Sequence, residues 1–248
     1  MVFYIPLLFA ISISAGATST TKSTHKKIVG IVHPEAAQPE SLGPTELRFR
    51  AADVAFRARF DEIQAREALR IYRELYQQNP NDVAGTWRLA MAAYFVGFRL
   101  TSDDDKRKEI YAEGRDAGFA GAKLDEKCAA CHFWGALDLA LYGHAVGIFK
   151  MFFALGDLRD HLNEVIKIDP HYAYGGAYRM LGVIEQKLPG ILGGSNRRAQ
   201  DYFEKAIEIS PVPAPDRIEA IEAIADLKAL LEKEAARNIA RDSALPEN

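Results

Sequence analysis

The sequence predicts an all-α chain built from stacked helix hairpins. Three observations predict it. From about Thr45 onward the apolar residues recur every three or four positions rather than every second, the period of a helix with one buried face. Breaks at Pro80, Glu126, Pro170 and Pro211 fall 46, 44 and 41 residues apart. The segments before these breaks are also versions of one pattern, with small and large residues at matching offsets.

The N-terminus reads as an address rather than a fold. Residues 2–15, VFYIPLLFAISISA, are apolar, and Ala15-Gly16-Ala17 follows with the small-residue spacing of a signal-peptidase site. The run is short for a membrane span and Pro6 interrupts it, so residues 1–17 are expected to be a cleaved signal peptide and the mature chain periplasmic. No Cys lies near the cleavage point to carry a lipid. Residues 18–44 are rich in Ser, Thr, Lys, Pro and Gln and read as a flexible leader.

The helical domain is expected over residues 45–241, with a tail at 242–248. Three segments carry a small or aliphatic residue, then large, then aliphatic, then Pro: Ala68/Tyr72/Leu75/Pro80, Leu158/Leu162/Val165/Pro170 and Ala199/Phe203/Ala206/Pro211. Gly114/Gly118/Gly121 is a fourth if Glu126 stands in for the proline. Each of these glycines costs roughly 1 kcal/mol against Ala inside a helix, so three on one face predict either a neighbouring helix approaching closely or a poor helix. The alternating helices read Trp87/Ala90/Met91/Tyr94, Trp134/Leu137/Asp138/Leu141 and Tyr178/Leu181/Gly182/Glu185. The pattern is that of a tetratricopeptide-repeat-like superhelix, with a longer period than the usual ~34 residues. The extra residues fall at Thr101–Lys108, read as a solvated loop and helix start, and at Lys187–Ser195. A stripe of Ile218, Ile221, Ile224, Leu227 and Leu231 predicts a closing helix near 214–240.

Composition narrows the function classes. The net charge of −3, from 31 Lys+Arg against 34 Asp+Glu, leaves no basic field for nucleic acid. P-loop, dinucleotide, nucleophile-elbow and zincin motifs are absent. The six His residues are scattered with no pair four apart on a helix, so neither a metal site nor a catalytic residue is expected. The acidic residues are read as lying mainly on polar helix faces. The aromatic residues Tyr94, Phe95, Phe98, Phe133, Trp134, Tyr142, Phe149, Phe152 and Phe153 are candidates to line a concave groove, although aromatics at this spacing more often form core. Arg179 needs a partner if buried, and an acidic neighbour is the simplest one.

Cys128-Ala129-Ala130-Cys131-His132 matches the attachment pattern of c-type haem. The five residues fall where the repeat register wants a helix start, so no cofactor is expected and haem c is kept as an alternative. A disulfide or two free buried thiols are both open for Cys128 and Cys131.

The block Asp169–Gly182, then Leu188-Pro189-Gly190 and Gly193-Gly194-Ser195 with Ala199, resembles the T component (TatT) associated with TRAP transporters. His132-Phe133-Trp134 and Trp87-Arg88-Leu89-Ala90 match further motifs of that family, and the likeness covers roughly residues 60–212. The resemblance implies an exported, non-catalytic binding protein. Its implied partners are a periplasmic solute-binding protein or another envelope protein, with a hydrophobic small molecule or a homo-oligomer left open. The implied contact residues are His132, Trp134, Tyr174, Gly175, Gly176, Tyr178, Arg179, Pro189, Gly193 and Gly194. A generic envelope scaffold is the alternative.

Overall fold

The computed structural model describes residues 43–209 and, near the C-terminus, residues 229, 232–233 and 235–237. Eight α-helices have described bounds, and no strand occurs among the described residues. They are α1 Pro44–Arg57, α2 Glu62–Gln78, α3 Val83–Phe95, α4 Asp104–Leu124, α5 Ala129–Val146, α6 Ile148–Ile168, α7 Gly176–Lys187 and α8 Asn196–Ile209. The signal segment, nearly all of the leader, the C-terminal tail and all five residues of the closing stripe lie outside the described residues; residues 229, 232–233 and 235–237 of the expected closing helix are helical.

Helix starts follow from local chemistry. Asp61, Asp82 and Asp103 sit just before α2, α3 and α4, and each carboxylate accepts a backbone N–H of the first turn. These bonds satisfy donors that a helix N-terminus leaves orphaned. The charge run from Asp103 to Lys108 is therefore a capped helix start, as its sequence suggests. α3 runs into a π-helical turn, Val96–Leu100, closed by the Thr101 hydroxyl donating to the Val96 carbonyl at 3.0 Å.

The helices form four antiparallel pairs, α1/α2, α3/α4, α5/α6 and α7/α8, and each helix packs on the next in sequence. α3 also packs on α5, two places away. This contact stacks one hairpin on its neighbour, and the architecture is all-α and tetratricopeptide-repeat-like.

Of the two readings of the three-glycine stripe, close approach is the one present. α4 crosses α5 with Gly118 against Gly135, so closely that a Cβ on Gly118 would lie 2.6 Å from the Gly135 Cα. Gly114 faces the Asp138 carboxyl, and Gly121 faces Thr86 and the Cys131 sulfur. The main core runs through α1–α7 and includes Tyr72, Leu89, Phe133, Trp134, Leu137, Leu158 and Leu162. Val183, Ala199 and Phe203 form a separate small cluster between α7 and α8.

Polar ties cross the stack at fixed points. Asp53 of α1 accepts the Tyr72 hydroxyl at 2.6 Å and the Arg88 Nε at 3.0 Å, joining α1, α2 and α3. Burial, then the adjacent Asp53 carboxylate, pushes the Tyr72 phenol up. Arg73 of α2 forks onto both oxygens of Glu113 on α4 at 2.6 Å, the paired geometry that a guanidinium favours.

Candidate functional site

Three helices converge on the start of α5. Cys128 caps α5, its Sγ accepting the Cys131 N–H at 3.1 Å, and the two cysteines are joined as a disulfide. Of the states left open by sequence, this is the one present. Cys128 is half-buried, whereas Cys131 is 0% exposed. The Cys131 sulfur lies 3.7 Å from the Thr86 Oγ of α3 and against Gly121 of α4.

One residue further on, His132 turns into a pair that sequence spacing did not reveal. Its Nδ1 lies 2.7 Å from Nδ1 of His161 on α6, and its Nε2 lies 3.2 Å from the Glu126 carbonyl. A carbonyl only accepts, so we assign the hydrogen to Nε2 of His132. In the tautomer with its one hydrogen on Nε2, His132 accepts at Nδ1 from His161. The His161 ring stacks on Phe119 of α4 with centroids 4.0 Å apart. Burial and then the His132 ring hold the His161 imidazole below its ordinary value, opposed by Asp157, Asp160 and Glu164. Among the described residues no group of three or more His, Cys, Asp or Glu is placed to hold a metal.

Two acids do not follow the polar-face reading. Asp138 is 0% exposed, and both carboxyl oxygens lack a hydrogen-bond partner. Burial first, then the Glu113 charge, raises its carboxyl well above the ordinary value near 3.8. Glu185 is also buried, but Arg159 and Arg198 hold its two oxygens at 2.8 and 2.6 Å.

Asp138 and His161 make opposite pH contributions. Asp138 binds its proton more tightly when folded, so its contribution is full below its ordinary value and is lost as pH rises through the raised one. Asp138→Asn should therefore gain on the parent progressively above about pH 4. His161 binds its proton less tightly when folded, so its contribution is present above 6.5 and is lost as pH falls through the lowered value. The parent's advantage over His161→Gln should shrink below about pH 6.5. Urea melts between pH 4 and 8 read both effects. A variant–parent difference that stays flat with pH would remove that residue from the titration.

The contact residues implied by the resemblance divide into two groups. His132, Trp134, Gly175 and Gly176 are buried. The Trp134 indole donates to the Tyr172 hydroxyl at 2.9 Å, and Gly176 is pressed against the Phe133 ring. Tyr174, Pro189 and Gly193 are exposed, while Tyr178, Arg179 and Gly194 are intermediate. Arg179 is not explained by an acidic neighbour alone. Its guanidinium donates to the carbonyls of Ala173 and Tyr174, which hold positive φ of 49° and 55° ahead of Gly175 at 72°. Three successive residues on the left-handed side are costly outside glycine, and the arginine clamps them. Gly193 turns the loop at φ 83°, and its carbonyl accepts from Arg198.

The groove reading is corrected at four aromatics. Tyr94, Phe95, Phe133 and Trp134 are core, because α3 and α5 are surrounded by helices. Phe98 and Tyr142 are partly buried against that core. The side chains of Phe149, Phe152 and Phe153 lie outside the described residues.

A family model described as "Regulator of microtubule dynamics protein 1-3" matches residues 49–217. The chain belongs to this RMD1-3 family. A regulator of microtubule dynamics protein 3 from Mus musculus is 27% identical over 138 residues, half of this chain and 29% of that relative. The chain thus matches under a third of that protein's length. The crystal structure of MamA superposes with a TM-score of 0.45 at 18% identity, covering 73% of this chain and 96% of MamA.

RMD1-3 membership reassigns the family suggested by the Tyr174–Ala199 motifs. Those residues work here as turn formers, as with Gly193, or as packing positions, as with Gly176. In this RMD1-3 chain the histidine pair and Asp138 are the features that sequence reading missed. His132 and His161 are 29 residues apart and meet only through the α5/α6 hairpin. Asp138 had a signal, because it occupies the interior register position between Leu137 and Leu141.

Proposed function

We propose that this chain is a non-catalytic protein-docking module that engages its partner through the outer face of its first hairpin. One observation carries the reading. Large apolar side chains left exposed on a helix pair are a recognised mark of an interaction surface. Here Leu47 and Val54, seven residues apart on α1, are 53% and 61% exposed, and Phe60 and Ile63 at the turn into α2 are each 75% exposed. Arg59 lies over the Phe60 and Phe56 rings at 5.2 and 5.1 Å, fixing an aromatic edge beside this patch. Exposed apolar residues on one hairpin are what a protein interface requires.

Membership of the RMD1-3 family makes tubulin the first partner to test. The purified chain should co-sediment with stabilised microtubules or alter the turbidity curve of polymerising tubulin. Phe60→Asp combined with Val54→Glu should abolish the effect without changing the helical circular dichroism. If the parent chain neither sediments nor shifts the curve, the tubulin assignment falls.

A second reading keeps export and docking beside a periplasmic solute-binding or other envelope protein, with a hydrophobic ligand open. The Cys128–Cys131 disulfide favours it, since disulfides persist mainly in oxidising compartments. The intact mass of the secreted chain tests it: cleavage after Ala17 supports export, and a retained N-terminus removes that reading.

A further inference from the structure

We propose that Cys128–Cys131 is a reversible thiol–disulfide exchange site, with Cys128 as the sulfur attacked by a dithiol partner and Cys131 as the buried resolving thiol. The inference goes beyond the docking role and does not depend on it.

Four observations converge on it. The two cysteines are three apart and already bonded. Their accessibility is unequal, with Cys128 half-buried and Cys131 fully enclosed, so an incoming sulfur reaches only Cys128. Cys128 is also the cap of α5, with its Sγ accepting the Cys131 N–H and no acidic residue in the first turn. A thiolate there is stabilised by the amide and by the positive end of the helix. Finally, the enclosed side is prepared for a thiol. The Thr86 hydroxyl donates to the Val83 carbonyl at 2.8 Å, which leaves its oxygen lone pair facing the Cys131 sulfur at 3.7 Å. A reduced Cys131 S–H donates into that lone pair and stays neutral and buried.

The exchange balances in two steps. A partner thiolate attacks the Cys128 Sγ and forms a mixed disulfide. The Cys128–Cys131 bond breaks, its electron pair goes to the Cys131 Sγ, and that sulfur takes up a proton. The partner's second thiolate then attacks its own sulfur in the mixed disulfide and expels Cys128 as a thiolate, which the cap N–H receives and which is later protonated. The partner dithiol has become a disulfide, and the cysteine pair has gained two electrons and two protons.

Reduction has a structural readout. Cys131 is wedged between Thr86 and Gly121 and stays in place, so the freed Cys128 moves instead. The turn holding the Glu126 carbonyl against His132 is adjacent. The signal of an exchange event is therefore a loosening of the turn 126–128, ahead of the fixed Cys131.

The test uses the full chain without denaturant. Dithiothreitol is added, and pulses of iodoacetamide are read by peptide mass spectrometry. Reduction should proceed with the helical circular dichroism unchanged, and Cys128 should be alkylated at least about tenfold faster than Cys131. A bond that opens only in denaturant, equal alkylation of the two cysteines, or unfolding on reduction would each overturn the proposal. In a second arm, oxidised glutathione is added to the reduced protein. Cys131→Ser should accumulate a lasting glutathione adduct on Cys128, whereas the parent resolves it to the internal disulfide. A parent that accumulates the same adduct refutes the resolving role of Cys131.

Discussion

Gly118→Val is expected to destabilise the chain by about 3 kcal/mol, the upper part of the range for overfilled cores. The reason is what the new side chain meets. A Cβ at position 118 would lie 2.6 Å from the Gly135 Cα and 2.7 Å from its nitrogen, both backbone atoms that cannot rotate away. The α4–α5 crossing must open, and the α3–α5 contact goes with it. Removing a helical glycine returns about 0.5–1 kcal/mol, far less than the clash removes. Gly156 supplies the control: it is helical and exposed, with open space where a Cβ would go. Gly156→Ala should stabilise by about 0.5–1 kcal/mol. Equal urea midpoints for the two variants would show that the helices do not meet at Gly118.

Phe203→Ala is expected to cost about 3–5 kcal/mol, the usual range for deleting a buried phenyl ring. Among the described residues Phe203 is the largest side chain of the α7–α8 cluster, which stands apart from the main core, and its ring fills the space beside Gly182. The loss should fall mainly on the last hairpin. Stacked repeats respond through nearest-neighbour interfaces, and α7 joins the rest through α6 and the Arg159–Glu185–Arg198 clamp. Amide exchange in α8 should therefore accelerate while amides in α3 and α5 keep their protection. A loss below 1 kcal/mol would mean that the ring is dispensable to the hairpin.

The sequence carried the hairpin architecture well because its signals are local. Helical periodicity and proline breaks each act within one turn of chain, and the glycines at 114, 118 and 121 pointed to a close crossing or a poor helix before any partner was known. What lay beyond reach was the identity of that partner, Gly135, and the meeting of His132 with His161, since both depend on how two helices are rotated about their axes. The groove misread has a different origin. α3 and α5 are enclosed on nearly every side, and a helix buried all round has no stripe that separates core aromatics from exposed ones. Asp138 was hidden by the general habit of acids to face water, a habit that its own register position contradicted. The candidate site was legible only in part: the Cys128–Cys131 spacing stood out, whereas the difference in their accessibility needed the fold.

The enclosure of α5 also limits how this molecule can change. Its residues from Cys131 to Leu139 are all covered, so any enlargement there must be matched by a reduction on a neighbour. Room for independent variation belongs to the water-facing sides of α2, α4 and α8. New recognition properties are therefore to be sought by diversifying those outer surfaces, with the central rod left as a fixed spindle.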